Sequence, residues 1–178
     1  MNSVNATHLK IRGRQELAAE VRRRQQAGER GVFTNGCFDL LHLGHVRYLQ
    51  EARDLGDFLI VGLNSDSGTR RLKGPGRPLV SEEERAEILA ALTCIDYVTV
   101  FDEPTASELL SLLQPAIYVK GGDYGLGQSS TPDTSRLPEA KVVQQYGGVV
   151  HLIAYLPNHS TSELIATIRQ LPPSNRYN

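Results

Sequence analysis

Short runs rich in valine, isoleucine, tyrosine and phenylalanine alternate along this chain with longer segments whose apolar residues recur at helical spacing. The strand-like runs cover residues 31–34, 57–64, 97–101, 116–120 and 149–154. Between the first two runs, apolar residues stand three apart at Leu49, Ala52 and Leu55, which is typical of the buried face of a helix. Strands joined by helices pair in parallel, because the crossover returns the chain to the same end of the sheet. The alternation therefore predicts an α/β protein.

Three predicted helices begin with a capping box, in which a Ser or Thr and the Glu three residues later each accept a hydrogen bond from the other's backbone N–H. The pairs are Ser81 with Glu84, Thr105 with Glu108, and Ser160 with Glu163. Strands and helices in this order predict a single Rossmann-like, doubly wound α/β domain with a five-stranded parallel sheet. Ligands of such sheets bind beyond the carboxyl ends of the strands. Functional residues are therefore expected in the loops that follow strands.

The length of 178 residues suits one compact domain. The predicted segments are an N-terminal helical extension (1–30), the α/β domain (31–170) with a mobile loop in it (125–136), and a flexible tail (171–178). Within the extension, a helix is predicted over 15–26. Its apolar residues Leu17, Ala18 and Val21 should face the core, and Arg22 to Arg24 should form a solvated face.

Charge and cysteine content exclude several classes of protein. The 19 basic and 20 acidic residues give a formal net charge of -1, unlike the basic surface of a general nucleic-acid or membrane-surface binder. Cys37 and Cys94 have no paired spacing, so we expect no disulfide framework and a reducing compartment. The sequence starts without an apolar signal segment, and no apolar stretch approaches the ~20 residues of a membrane span. We predict a cytoplasmic protein without nucleic-acid or membrane partners.

The loop after the first strand brings two histidines to a predicted helix start. It reads NGCFDLLHLGH from Asn35 to His45. His42 and His45 would share one face of the first helical turn, beside backbone N–H groups that lack partners within the helix. Gly44 has no side chain, so a phosphate could approach the backbone at the positive end of the helix dipole. The loop predicts a phosphate site in which imidazoles donate hydrogen bonds to oxygens that gain charge during transfer.

Two other interpretations of this loop stay open. The histidines could cap the helix or pack against it without binding a ligand. Cys37, His42 and His45 could instead bind zinc, but no fourth ligand stands at the spacing of a zinc finger. We predict no dedicated metal site.

A basic, glycine-containing stretch follows the second strand. Arg70, Arg71, Lys73 and Arg77 surround residues 74–76, which read Gly-Pro-Gly. This composition predicts either a mobile flap that closes over a triphosphate or a solvated basic loop.

Three further positions are candidate binding residues. Arg85 falls in a first helical turn, where a cation opposes the helix dipole, so it is either paired with a nearby anion or an ordinary surface residue. Residues 120–123, Lys-Gly-Gly-Asp, end the fourth strand and could hold a phosphate and a hydroxyl, or form a simple turn. The hydroxyls of Ser160, Thr161 and Ser162 open the last helix and could grip phosphates in addition to capping it.

The stretch GCFDLLHLGH resembles the HxGH signature of the nucleotidyltransferase superfamily, which includes cytidylyltransferases and pantetheine-phosphate and nicotinate-nucleotide adenylyltransferases. A longer series of motifs resembles the adenylyltransferase half of bacterial ADP-heptose synthases. The motifs are Lys10 to Arg12, Val32 to His45, Asn64-Ser65-Asp66, Arg71 to Gly74, Gly76-Arg77-Pro78, Glu84-Arg85 and Lys120 to Tyr124. They span nearly the whole chain and are strongly specific for the superfamily. Residues 31–170 are accordingly expected to be the nucleotidyltransferase domain.

Together, the resemblance and the residue patterns give each position an expected role. The expected catalytic residues are His42, His45 and Lys73. The expected nucleotide-binding residues are Phe38, Gly44, Gly122, Ser160, Thr161 and Ser162. The expected substrate-binding residues are Asp39, Asn64, Asp66, Arg77, Arg85, Lys120 and Asp123.

The resemblance implies transfer of an adenylyl group from ATP to a sugar 1-phosphate, D-glycero-D-manno-heptose 1-phosphate, with release of pyrophosphate. Mg²⁺ is expected to bridge the triphosphate without a protein cage, and a homodimer is expected from the resemblance. Two alternatives stay open. One is a cytidylyltransferase that acts on glycerol 3-phosphate or another alcohol phosphate, and the other is a non-catalytic nucleotide sensor on the same fold.

The chain departs from related cytidylyltransferases just before the last helix. Those enzymes carry an Arg-Thr-Glu-Gly element there, whereas residues 155–159 of this chain read Tyr-Leu-Pro-Asn-His. One phosphate contact is therefore unassigned, and His159 is a candidate for it.

Overall fold

The computed structural model describes residues 7–121, 137–154, 156–157 and 159–171. The helices are α1 (Thr7–Lys10), α2 (Arg14–Gln26), α3 (Leu43–Asp54), α4 (Asp66–Lys73), α5 (Glu82–Ala90), α6 (Ser107–Leu113), α7 (Pro138–Gln145) and α8 (Thr161–Gln170). The strands are β1 (Gly31–Gly36), β2 (Phe58–Asn64), β3 (Tyr97–Phe101), β4 (Ile117–Gly121) and β5 (Val149–Ile153). The predicted loop 125–136, Gly122 and Asp123, and nearly all of the predicted tail lie outside the described residues.

The five strands form one parallel sheet in the order β3-β2-β1-β4-β5, which confirms the prediction. All seven residues of β2 are buried, as expected for a strand covered by helices on both faces. The chain runs outward from β1 to β3 on one side and then crosses to β4 on the other. The connections after β1 and β4 therefore leave in opposite directions, and the crevice between these two strand ends is where such sheets bind ligands.

Two apolar clusters cover the two faces of the sheet. One cluster includes Leu49 of α3 and Leu89 of α5. The other includes Leu17 of α2 packed with Phe33 and Phe58, so α2 confirms the predicted helix and its buried face. Helices on both faces confirm the doubly wound class. The division of the chain at residue 30 stays a prediction.

The predicted solvated face of α2 is wrong for Arg24. Its guanidinium lies 4.1 Å from the centroid of the Phe58 ring, and Glu29 pairs with it. A cation over an aromatic face is stabilising, and α2 lies flat against the sheet, which places Arg24 over Phe58. Arg22 and Arg23 are exposed as predicted.

Two of the three predicted capping boxes are confirmed. Both bonds of the box form at Ser81 and at Ser160. The third box is wrong, because α6 has Ala106 as its N-cap, and the hydroxyl of Thr105 accepts a hydrogen bond from the N–H of Ser107. Ala106 is fully buried, so core packing places the N-cap of α6 one residue after the predicted position, Thr105.

Helix α4 was not predicted, and it changes the basic flap. Ser65 caps the helix by accepting a hydrogen bond from the N–H of Gly68. Arg70, Arg71 and Lys73 therefore belong to the last turn of a helix, where cations favour the dipole. The prediction that all four cations lie in a loop is wrong, since only Arg77 does.

Within the described ranges, no helix combines the length and apolar character needed to cross a membrane. The cytoplasmic location stays a prediction.

Candidate active site

His42 and His45 lie together at the start of α3, after the loop that follows β1. His42 is the N-cap residue of α3, with an extended backbone at φ -143° and ψ 172°. The two imidazole rings stack, with centroids 3.9 Å apart and planes 29° apart. The edge of Phe38 contacts His45, with ring centroids 5.4 Å apart. The predicted pairing of the two histidines on the first turn is confirmed.

The Nδ1 atoms of both rings are buried, and in the described part of the chain neither has a hydrogen-bond partner. Burial, and then the nearby His159, lower the pKa of His42. Burial, and then His42, lower the pKa of His45 to about 4. Both imidazoles are therefore neutral at pH 7, and each carries one N–H that can donate a hydrogen bond. Stacked rings that are both neutral avoid the repulsion that two imidazolium ions would suffer.

Gly44 leaves room for the side chains of His42 and His159 beside the backbone of α3. A Cβ at this position would lie 3.0 Å from ring atoms of His42 and 3.1 Å from the Cβ of His159. His159 is oriented by the carbonyl oxygen of Pro157, 2.7 Å from its Nδ1. Since a carbonyl oxygen only accepts hydrogen bonds, this Nδ1 carries the proton and the other ring nitrogen is left for other partners.

Replacing Gly44 with alanine is expected to push the imidazoles apart and weaken polyphosphate binding about tenfold or more, because small displacements of positioned groups are costly. Titration calorimetry with pyrophosphate measures this. The matched control is Gly13→Ala, since a Cβ at Gly13 would meet no atom within 4 Å and its φ of -65° suits alanine. Equal affinities of the two variants would contradict the role assigned to Gly44.

Protonation of His45 is expected to destabilise the fold as the pH falls. The pKa of His45 is about 4 in the folded protein and about 6.5 in an unfolded chain. Between pH 6.5 and about pH 4, His45 is protonated in the unfolded chain but not in the folded protein. The free energy of unfolding therefore decreases as the pH is lowered through this range. The part due to His45 is about 2 kcal/mol at most between pH 8 and pH 5.

Urea unfolding at pH 5, 6, 7 and 8 checks this prediction. His45→Asn removes the titrating group, and the free energy of unfolding of this variant should depend less on pH than that of the wild type. Parallel pH profiles for the two proteins would mean that His45 does not carry the dependence.

The start of α8 lies against the same loop. The hydroxyl of Thr161 donates to the carbonyl oxygen of Leu40, 3.3 Å away, and the Glu163 carboxylate influences His42 electrostatically. Ser160 accepts from the N–H of Glu163, so its hydroxyl caps the helix as predicted. Ser162 is exposed. Phosphate binding by these hydroxyls stays a prediction.

Lys120 enters the crevice from the end of β4. Its ammonium donates to the side-chain oxygen of Asn35, 3.2 Å away, and the same oxygen accepts from the hydroxyl of Tyr118. Burial lowers the pKa of Lys120; the charge of Glu139 opposes this, and the charge of Lys73 makes a smaller contribution that lowers it. Lys120 at the end of β4 and Lys73 at the end of α4 are thus close enough for the charge of one to act on the other.

Asn35 is a site residue that the sequence analysis missed. The signal was a polar residue near the end of a buried strand, because a buried side-chain amide is almost always hydrogen-bonded to a partner.

The carboxylate of Asp39 is buried, with its side chain 1% exposed. It accepts from the backbone N–H groups of Leu79 and Val80 at 2.8 and 3.0 Å, and from the guanidinium of Arg77. Asp39 and Arg77 therefore bind each other and tie the end of the flap to the β1 loop. Substrate contact by Asp39 and Arg77 stays a prediction.

Arg85 and Asp66 form a second pair, 2.7 Å apart. The Arg85 side chain is 0% exposed, and its contact with the substrate stays a prediction. The nearby anion expected for Arg85 is the carboxylate of Asp66, which is 35% exposed. Asn64 is buried as well, and its side-chain oxygen lies 3.8 Å from the sulfur of Cys37.

Across the described residues, no group of three or more His, Cys, Asp and Glu side chains could hold a metal ion. Asp39 and Asp66 are each paired with an arginine. A Mg²⁺ ion that arrives with a nucleotide would take its oxygen ligands from phosphates and water, and this stays a prediction.

The chain is similar to a known protein family, to characterised relatives and to a solved structure. The model of the family described as cytidylyltransferase-like matches residues 33–167. Bifunctional protein HldE of Geotalea uraniireducens is 53% identical over 160 residues, which cover 90% of this chain and 31% of that protein. HldE of Syntrophotalea carbinolica is 55% identical over 159 residues, covering 89% and 31%. The chain thus spans about a third of the length of these relatives.

A solved structure is also similar. It is the lipopolysaccharide core biosynthesis protein from Thermoplasma volcanium, with a TM-score of 0.57 and 28% sequence identity. The match covers 72% of this chain and 98% of that one. This similarity, together with the five-stranded parallel sheet, confirms the fold, and the family match confirms the predicted resemblance.

Proposed function

Because this chain belongs to the cytidylyltransferase-like family, we propose that it is a nucleotidyltransferase that transfers AMP from ATP to a sugar 1-phosphate and releases pyrophosphate. The observation that carries this proposal is the stacked, neutral pair of His42 and His45 at the start of α3, inside the crevice of the sheet. The identity to HldE over about a third of its length supports adenylyl transfer. D-glycero-D-manno-heptose 1-phosphate is the proposed acceptor, in line with the motifs that resemble ADP-heptose synthases.

In the proposed reaction, an oxygen of the sugar phosphate attacks the α-phosphorus of ATP. A new P–O bond forms there while the bond to the β-phosphate oxygen breaks, and the electron pair leaves with pyrophosphate. The attacking phosphate is already ionised near pH 7, so positioning and charge neutralisation matter more than proton removal. Mg²⁺ enters as part of the nucleotide substrate.

His42 and His45 are proposed to donate their N–H groups to phosphate oxygens that gain charge as the bond breaks. The free backbone N–H groups at the start of α3 add to this field. A neutral imidazole carries one N–H, which is the donor that this role requires. The lowered pKa values of His42 and His45 keep both rings in this neutral form at pH 7. Phe38 and Gly44 border the nucleotide in this proposal.

Lys73 and Lys120 are proposed to hold the attacking phosphate from opposite sides. Lys120 is fixed by Asn35, whereas Lys73 is exposed at the end of α4 and next to Gly74, whose φ is 88°. A fixed cation and a mobile one can admit the acceptor and then close on it. Asp66 is the candidate contact for a sugar hydroxyl. The homodimer implied by the resemblance stays a prediction.

The test is pyrophosphate release with Mg²⁺, in parallel with ATP and CTP, across a panel that includes the heptose 1-phosphate, other sugar 1-phosphates and glycerol 3-phosphate. We expect release with ATP and the heptose 1-phosphate. Release with CTP and glycerol 3-phosphate instead would support the cytidylyltransferase alternative. Thermal stabilisation by nucleotide, about 2.7 kcal/mol at a hundred times the dissociation constant, without release from any acceptor would favour the sensor and refute the enzyme.

A further inference from the structure

We propose that Arg85 is a positioning residue that holds His45 in place through the peptide that joins Cys37 to Phe38. The effect on turnover rests on the proposed function, whereas the effect on the His45 ring does not. Arg85 is remote from the imidazoles in sequence and its side chain is closed off from solvent, so it acts only through the groups that it bonds.

Arg85 bonds four groups in three separate segments of the chain. Its Nε donates to the carbonyl oxygen of Val80 at 2.9 Å. One terminal nitrogen donates to the carbonyl oxygens of Cys37 and Asn64, at 2.6 and 2.9 Å. The other donates to the carboxylate of Asp66 at 2.7 Å. The planar fork of a guanidinium fixes these acceptors relative to one another, which an ammonium cannot do.

The bond to Cys37 is the one that reaches the imidazoles. It holds the oxygen of the peptide just before Phe38, and Phe38 has a φ of 44°, a left-handed conformation that costs free energy for a bulky residue. The ring of Phe38 then lies edge-on to His45. Arg85 stabilises the peptide orientation that this conformation needs, and Phe38 in turn limits where His45 can lie.

The same peptide segment is held from its other side. Asp39, next to Phe38, accepts hydrogen bonds from the N–H groups of Leu79 and Val80, and the carbonyl of Val80 accepts from Arg85. Phe38 therefore lies between two anchored neighbours. An apolar side chain could fill the volume of Arg85 at similar stability, but it could not bond three carbonyl oxygens in fixed directions.

The experiment compares Arg85→Lys and Arg85→Met with Arg24→Met. Arg24 is a suitable control because, like Arg85, it is largely buried and paired with a carboxylate, here that of Glu29. It lies over Phe58 on the opposite face of the sheet. NMR titration of the histidine side chains, with His45→Gln to assign the resonance, reports the pKa of His45. Steady-state kinetics give kcat and KM for ATP.

Loss of the Arg85 bonds should let Phe38 and His45 move apart, so the pKa of His45 should rise from about 4 by at least one unit in Arg85→Met. We expect kcat to fall about tenfold to a hundredfold with a smaller change in KM. Arg85→Lys should lie between the wild type and Arg85→Met. Arg24→Met should lower the melting temperature and leave both the titration and kcat unchanged.

A His45 titration that is unchanged in both Arg85 variants would overturn the proposal, and so would an equal change in Arg24→Met. If Arg85→Met fails to fold, Arg85→Lys decides by the same two readouts. A wild-type protein that transfers no nucleotide would refute the proposed function, while the titration would still test the positioning role.

Discussion

Alanine at His42 or at His45 is expected to lower kcat about a hundredfold or more, which is the usual cost of removing one donor to a transition-state oxyanion. The two rings stack at 3.9 Å, and no described group accepts or donates at their buried Nδ1 atoms. Their hydrogen-bonding capacity is thus not used by the fold. Because the donors act mainly on charge that develops during transfer, KM for ATP should change much less than kcat.

The control for the histidine variants is His151→Ala, since His151 is exposed on β5, far in sequence from the loop. Single-turnover measurements of pyrophosphate release separate chemistry from product release. His45→Asn keeps a hydrogen-bond donor and should retain more activity than His45→Ala. Near-normal kcat in both alanine variants would end the proposed role of the pair.

Replacing Lys73 with methionine is expected to lower kcat/KM about a hundredfold, because a cation that clamps a transferring phosphate is worth as much as an oxyanion donor. The charge of Lys73 reaches Lys120 and lowers the pKa of that ammonium. Removing Lys73 should therefore raise the pKa of Lys120 and leave only one of the two cations proposed to hold the attacking phosphate. Steady-state rates measured over a range of acceptor concentrations give the loss in kcat/KM.

Arg70→Met is the matched control, because Arg70 is an exposed cation on the same helix. It tests whether any positive charge on α4 matters or only the one at its end. An equal loss in both variants would assign the effect to the general basic field of α4, and Lys73 would then have no specific role.

Much of the fold was predictable from sequence because its signals are local. The strand runs were placed within two residues of β1 to β5, since β-branched and aromatic runs report burial between helices directly. The capping boxes at Ser81 and Ser160 were confirmed for the same reason. The box at Thr105 failed because the burial of Ala106, a tertiary effect, decided where α6 begins.

The sequence by itself determined the parallel sheet, the loop after β1 and the meeting of His42 with His45, because residues three apart on a helix share a face whatever surrounds them. Only the tertiary structure decided which charged groups pair with one another. Asp39 pairs with Arg77, and Arg85 with Asp66. A buried charged group pairs with an opposite charge that is close in space. The distance between separate loops depends on the tertiary fold, so no local sequence pattern predicts these pairs.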